Sequence, residues 1–409
     1  MSSAIDHATS QAMSSQVLIT GLGAISCLGR GTEAFWRGMT AADSAPARAE
    51  DPNAHMKLPL MYSVPGSDVP VEPRTQDGLP LGDASRYALV AAREALADAG
   101  LADGWRDPAR VAVVLGTGMG DSGLHERWHV DGGRTDGGWV PTFAPASVLG
   151  AALGVGGATT SVSNACAASG FGISLAADLI RSGEADVVVT GGAEAYSRVA
   201  LACFNRLGAV DSSRCRPFDL HREGTVFGEG SAILVLESAA HAAERGVSAP
   251  YATIAGAGWS CDAHHTTAPE PEGSQIIRGM REALAEAGVA TDQVGCVVPH
   301  GTGTQLNDVV EAKALNTVLG SAIHQAPLYS LKALVGHTGG AAGALATLAA
   351  TLILSNRRIP ANVPCAEQDP ECKVTLSDTE IPLTGSCVLV NAYAFGGNNV
   401  SLVLTEPRS

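Results

Sequence analysis

The chain has 409 residues, 45% of them hydrophobic and 16% charged, with a formal net charge of −15. The hydrophobicity excludes a disordered chain, the length permits a large core, and the acidity argues against non-specific nucleic-acid binding. Nine scattered cysteines, an odd number, do not read as a disulfide framework, so a reducing cytoplasm is expected.

The first sixteen residues have no basic start followed by an apolar stretch, so no signal peptide is expected. Short β-branched runs then alternate with Ala/Leu-rich stretches. The runs predict strands at 17–20, 111–115, 186–190, 232–236, 251–255, 294–298 and 387–391. Helices are predicted at 85–99, 167–181, 274–287, 309–319 and 340–355. This alternation implies an α/β protein with buried sheets. The longest weakly polar run, 339–354, is rich in Gly and Ala and shorter than a span requires, so no membrane segment is expected.

An internal repeat organises the chain. Residues 93–101 read REALADAGL and residues 281–289 read REALAEAGV. Each copy is followed by a polar turn, a Val-rich strand and Gly-Thr-Gly, at Gly116–Gly118 and Gly301–Gly303. Each is preceded by a similar strand, VLITGLGAIS from Val17 and YATIAGAGWS from Tyr251. Two related halves are expected, 16–250 and 251–406, with an insertion around 41–80 in the first.

Several motifs carry chemistry. Gly21-Leu-Gly mimics a dinucleotide fingerprint, but its third glycine is missing, and a tight strand-to-helix turn is the expectation. In Ser161-Val-Ser-Asn-Ala-Cys166-Ala-Ala-Ser-Gly170 a polar run leads into a Cys at the start of a helix, where unpaired N–H groups favour a thiolate. The other eight cysteines are read as structural. His300-Gly-Thr-Gly-Thr304 ends a strand, where α/β sites form, and Asp308 and Glu311 follow at helical spacing. Lys332 lies five residues before His337, which opens a Gly/Ala-rich helix. A lysine in so apolar a stretch needs a carboxylate, and Glu311 is the candidate. The repeat implies that the helix starts at Cys166 and His337 face each other. Asn391-Ala-Tyr-Ala-Phe395-Gly-Gly suggests a close-packed turn beside a pocket. His264-His265 lacks further ligands at metal spacing, so no metal is expected.

Together these residues resemble the β-ketoacyl-acyl-carrier-protein synthases, over about residues 17–404. The match includes Asn164-Ala-Cys166-Ala-Ala-Ser169, the blocks DVVVTGGAE (186–194), Arg216-Pro-Phe-Asp219 and EGTVFGEG (223–230), and the histidine, lysine and Phe395-Gly-Gly motifs. The resemblance implies the thiolase fold, five αβαβα layers from two duplicated halves, and a discrete type II enzyme of fatty acid or polyketide biosynthesis. It implies that Cys166 is the acyl-accepting nucleophile, and that His300 and His337 bind the extender thioester. Lys332 with Glu311 would tune them, and the N–H groups of Cys166 and Phe395 would form the oxyanion hole. Phe227, Phe395 and Ala394 would line and gate the pocket, Ala394 standing where the family usually has Gly. Arg206 and Arg214 would help dock the carrier protein. No cofactor is implied beyond the carrier's phosphopantetheine. The expected partners are an acyl carrier protein and a second subunit, identical or related. A chain-length-factor-like subunit and an acyltransferase forming C–O or C–N bonds are the alternatives.

Overall fold

The computed structural model describes residues 16–70, 75–76, 78–133 and 141–407. The segment bearing on a signal peptide therefore lies almost wholly outside the described residues, as do parts of the 41–80 insertion. The first half contributes β1 (Val17–Ser26), β2 (Leu60–Tyr62), α1 (Asp83–Asp98), β3 (Val111–Gly116), β4 (Thr159–Val162) and α2 (Ala168–Arg181). It continues with β5 (Val187–Glu194), α3 (Arg198–Leu207), β6 (Phe227–Gly228) and β7 (Gly230–Ser238). The second contributes β8 (Ala252–Cys261), α4 (Ser274–Ala287), β9 (Val294–Val298), α5 (Gln305–Leu319), α6 (Ala342–Asn356), β10 (Cys387–Ala394) and β11 (Asn398–Thr405).

Every predicted strand and helix overlaps an observed one, and 274–287 and 294–298 coincide with α4 and β9. Strands β2, β4, β6 and β11, helix α3 and the helices Thr32–Ala41, Ser122–Val130, Pro145–Leu153 and Ala239–Arg245 escape the sequence pattern. Helix α3 fully buries only Leu201, β4 is short and partly exposed, and β11 follows β10 after one tight turn.

The main sheet runs β9-β10-β11-β8-β1-β7-β5-β3-β4. Its halves are joined at the β1–β8 seam, where Leu18 pairs with Thr253 and Ile19 with Ala252. Within each half the pairings match: β1–β7 and β8–β11 are antiparallel, as are β7–β5 and β11–β10, while β5–β3 and β10–β9 are parallel. Helices α2 and α6 pack on each other and on both halves, with α1 outside the first and α4 and α5 outside the second. The result is five layers, α-β-α-β-α.

The repeat has a structural register. Both β1 and β8 carry an irregularity at the same place, between Ile19 and Gly21 and between Ile254 and Gly256. The Gly21-Leu-Gly23 motif is therefore not a strand-to-helix turn: it lies inside β1. Cβ atoms on Gly21 and Gly23 would fall 2.2 and 1.9 Å from the carbonyls of Ala95 and Ala91 in α1. On Gly256 and Gly258 they would fall 2.3 and 1.9 Å from those of Ala283 and Gly279 in α4. These glycines let the repeated helix lie directly on the repeated strand.

Helix α6 buries every residue from Ala342 to Leu354. With the turn before it, Gly339–Asn356 reaches 18 residues, two more than the run read from sequence and long and apolar enough by length and composition alone to cross a membrane. Yet 83% of it is buried inside the fold, where it forms the central layer.

Candidate active site

Strand β4 ends at Val162, and one 3-10 turn, Ala165–Ala167, leads into α2. Ala165 is held in the left-handed region (φ 47°), a strained conformation for a residue with a β-carbon. This sharp turn presents Cys166 at the helix start. A matching turn, Gly339–Ala341, precedes α6. The two helix starts meet as expected: Ala344 N donates to Ser169 Oγ (2.9 Å), and a Cβ on Gly343 would lie 2.6 Å from Gly170 N.

His337 is fixed by its backbone. Its N–H donates to the Val226 carbonyl (2.8 Å) and its carbonyl accepts from Gly228 N (3.0 Å). Gly336 before it has φ 71°, and a Cβ there would meet Tyr62 at 2.5 Å. The His337 ring stacks on Phe227 (centroids 6.0 Å, 4° between planes) and stands edge-on to His300 at 5.6 Å. Both histidines are buried. Burial, reinforced by the charge of Lys332, holds both imidazoles well below their usual range, so each is neutral at pH 7.

The supposed Lys332–Glu311 ion pair is not formed. Lys332 Nζ instead donates to the His300 carbonyl and approaches His300 Nδ1 at 3.5 Å. With Lys332 as the donor in this contact, His300 Nδ1 accepts and the ring hydrogen is assigned to Nε2. Glu311 has another task. Its carboxylate accepts from His300 N (2.8 Å), Gly301 N (2.7 Å) and Asn391 Nδ2 (3.3 Å). Burial raises it to about 7 against those hydrogen bonds and Lys332. Three donors leave it no reason to reach the lysine, whose charge it feels at longer range.

The nucleophile cysteine is under opposing influences. Burial pushes the Cys166 thiol up to about 12, Lys332 opposes this and Glu194 adds to it. Desolvation therefore acts against the pull of the helix start.

Two cavities meet at Cys166. An entrance of about 460 Å³ is lined by Cys166, His300, Thr302, Thr304, His337 and Phe395, among others. An inner one of about 140 Å³ lies beyond. Cys166, Phe204 and Phe395 line both. Phe204 stacks on Phe395 at 5.2 Å and meets Phe227 edge-on at 4.7 Å. Phe395 sits in the turn between β10 and β11, followed by Gly396 (φ 85°) and Gly397 (φ 77°). Ala394 is the last residue of β10 and lines the entrance.

Sequence reading missed Phe204, because its helix was not recognised, and the role of Glu194. That buried carboxylate accepts from Gly118 N (2.7 Å), Met119 N (2.8 Å) and Gly340 N (2.7 Å), tying the halves together beneath Cys166. The only signal was an acid ending an otherwise uncharged strand. Asp308, noticed for its spacing alone, accepts from Phe218 N, Thr302 N and Gly303 N (2.8, 3.0 and 3.1 Å).

Two arginines near the predicted docking residues are paired with carboxylates. Arg198 pairs with Asp51 (2.7 Å) and Arg216 with buried Asp211 (2.8 Å). Arg214 is half-buried and donates to the Ser44 carbonyl (3.0 Å), so of the two predicted docking residues only Arg206 stands exposed. His265 Nδ1 accepts from Thr267 N and Ala268 N (both 3.1 Å), which makes it a turn-former.

The chain matches the family described as Beta-ketoacyl synthase, N-terminal domain, over residues 14–242, and the corresponding C-terminal domain over 251–366. It is 32% identical to 3-oxoacyl-[acyl-carrier-protein] synthase 2 of Staphylococcus aureus (strain COL), covering 96% of this chain and 98% of that one. The structure of the ishigamide ketosynthase/chain length factor is 35% identical with a TM-score of 0.85, covering 96% and 99%. A type II PKS acyl-carrier protein in complex with its ketosynthase bound to the hexaketide is 26% identical at TM-score 0.85, covering 96% and 99%. With the strained turn before the cysteine, the two neutral histidines on its cavity and the lysine behind them, and with sequence likeness along nearly the whole chain, the protein belongs to the β-ketoacyl synthase family and has its thiolase fold.

Proposed function

We propose that the chain condenses an acyl group held on Cys166 with malonyl-acyl carrier protein, releasing carbon dioxide and a β-ketoacyl-acyl carrier protein. The observation that carries this is the convergence of Cys166, His300 and His337 on the entrance cavity, with Lys332 behind. Cys166 attacks the acyl thioester, and its proton ends on the departing carrier thiol. The N–H groups of Cys166 and Phe395 hold the oxyanion. Malonyl carrier protein then enters, and neutral His300 and His337 donate hydrogen bonds to its thioester oxygen. That oxygen carries the enolate charge as carbon dioxide leaves. The enolate carbon attacks the acyl carbonyl, the Cys166–acyl bond breaks, and the sulfur takes up one proton from solvent, the proton that the decarboxylative condensation consumes. Lys332 holds the His300 tautomer that presents Nε2–H.

This chemistry uses the chain's own side chains and the carrier's phosphopantetheine, without a metal or redox cofactor. The partners are an acyl carrier protein and a second subunit, identical or related, as in the complexes of the neighbouring ketosynthases. The setting is polyketide or other specialised biosynthesis in the cytoplasm. The presence of Cys166 favours a catalytic subunit over a chain-length-factor-like one. The test is mass spectrometry of products from the protein, acyl carrier proteins and malonyl carrier protein. A β-ketoacyl product is expected. An acyl-Cys166 adduct that never elongates, even with a related subunit added, would overturn the condensation.

A further inference from the structure

The inner cavity bears on which acyl group is taken, and this rests on the condensing role proposed above. Its volume is about 140 Å³. An apolar cavity of ~150 Å³ holds a benzene-sized molecule, so about six carbons fit. Besides Cys166, three lining side chains carry N–H, O–H or carboxylate groups, and each is engaged elsewhere. Glu194 is held by its backbone donors. Tyr196 Oη donates to Asp51 Oδ2 (2.8 Å), and Ser197 Oγ donates to Glu126 Oε1 (2.7 Å). The lining backbone N–H groups of Gly118, Met119 and Gly340 all point at Glu194, and that of Gly228 is bound to the His337 carbonyl. Among the described residues, an oxygen on the acyl chain beyond the thioester finds no side-chain donor here, and burying it unpaired is costly.

Met61 lies in the part of this wall that the entrance does not share. It is buried and pairs with Phe227 through the β2–β6 bridge. It comes from the 41–80 insertion. We infer that the inner cavity selects an unoxygenated acyl chain of about six carbons and that Met61 sets its length.

The experiment follows acylation of Cys166 by intact-protein mass spectrometry, using N-acetylcysteamine thioesters of graded length and oxidation. Hexanoyl is expected to load at least about tenfold faster than 3-oxohexanoyl, from the cost of an unpaired carbonyl. Equal or faster loading of the 3-oxo chain overturns the selection. Met61→Ala moves the optimum up by about one two-carbon unit, and Ala200→Leu, on the same cavity, moves it down. If wild type and both folded variants share one length optimum, Met61 does not set it. If no thioester of any kind loads Cys166, the nucleophile reading itself falls, a result distinct from either of these.

Discussion

The two halves of the chain share a frame and divide the chemistry. In both, a ten-residue strand with an irregularity at the same place lies on a repeated helix through a pair of glycines. In both, a 3-10 turn opens a buried central helix. They differ in what holds the Gly-Thr-Gly loop. In the first half Glu194 comes from the end of β5 and reaches across to Gly340. In the second, Asp308 and Glu311 come from α5 and hold the loop of their own half, and Asp308 also accepts from Phe218 N of the first. Duplicated packing is retained where backbone meets backbone, because any β-carbon there collides with a carbonyl. Chemistry diverges at the strand and helix ends, where one half supplies a nucleophile and the other the histidines.

That division is sharpest in the variants with the largest effect. Cys166→Ala should remove acyl-enzyme completely, seen as no mass adduct. His337→Ala should keep acylation while carbon dioxide release from malonyl carrier protein falls by about 10²–10⁴-fold. Loss of both activities in His337→Ala would break the division between the halves.

The shared frame predicts equal damage. Gly23→Ala and Gly258→Ala place a β-carbon 1.9 Å from a helix carbonyl in their respective halves. Each should destabilise the fold by at least about 1–3 kcal/mol, read from urea midpoints. A large cost in one half alone would show that the repeat is no longer energetically symmetric.

One electrostatic feature belongs to the first half. Glu237, opposite Leu18 on β7, is buried, which raises its pKa, but bonds from His241, Arg245 and Thr20 outweigh burial and lower it to about 2. The equivalent position, Thr405 opposite Thr253, carries no charge. A carboxyl lowered on folding binds fewer protons than in the unfolded chain. Its stabilisation is therefore present above about pH 4.5 and lost as pH falls toward 2, on the order of 3 kcal/mol. Denaturation at graded pH should show this slope, and Glu237→Gln should flatten it.

The smallest effect concerns the surface. Arg206→Glu should lower kcat/KM for carrier-bound acyl groups by a few-fold, most at low salt, and leave small thioesters unaffected. An equal loss with both substrates would place Arg206 in the pocket rather than on a docking face.

The sequence by itself determined the class of fold, the repeat and the residues that converge. Periodicity, the REALA copies and the Gly-rich turns at Cys166, His300 and His337 are local patterns, and backbone geometry follows local pattern. Only the tertiary structure decided how charge and solvent act on those residues. The helix start at Cys166 reads as a thiolate site, yet burial works against the charged form there. Lys332 and Glu311 read as an ion pair, yet Glu311 is claimed by the N–H groups of His300 and Gly301, and the lysine by the His300 carbonyl. Arg214 reads as a surface charge, yet it is folded onto Ser44. Such outcomes depend on which groups from distant segments meet and how much water they lose, and neither quantity is a property of a local stretch of chain.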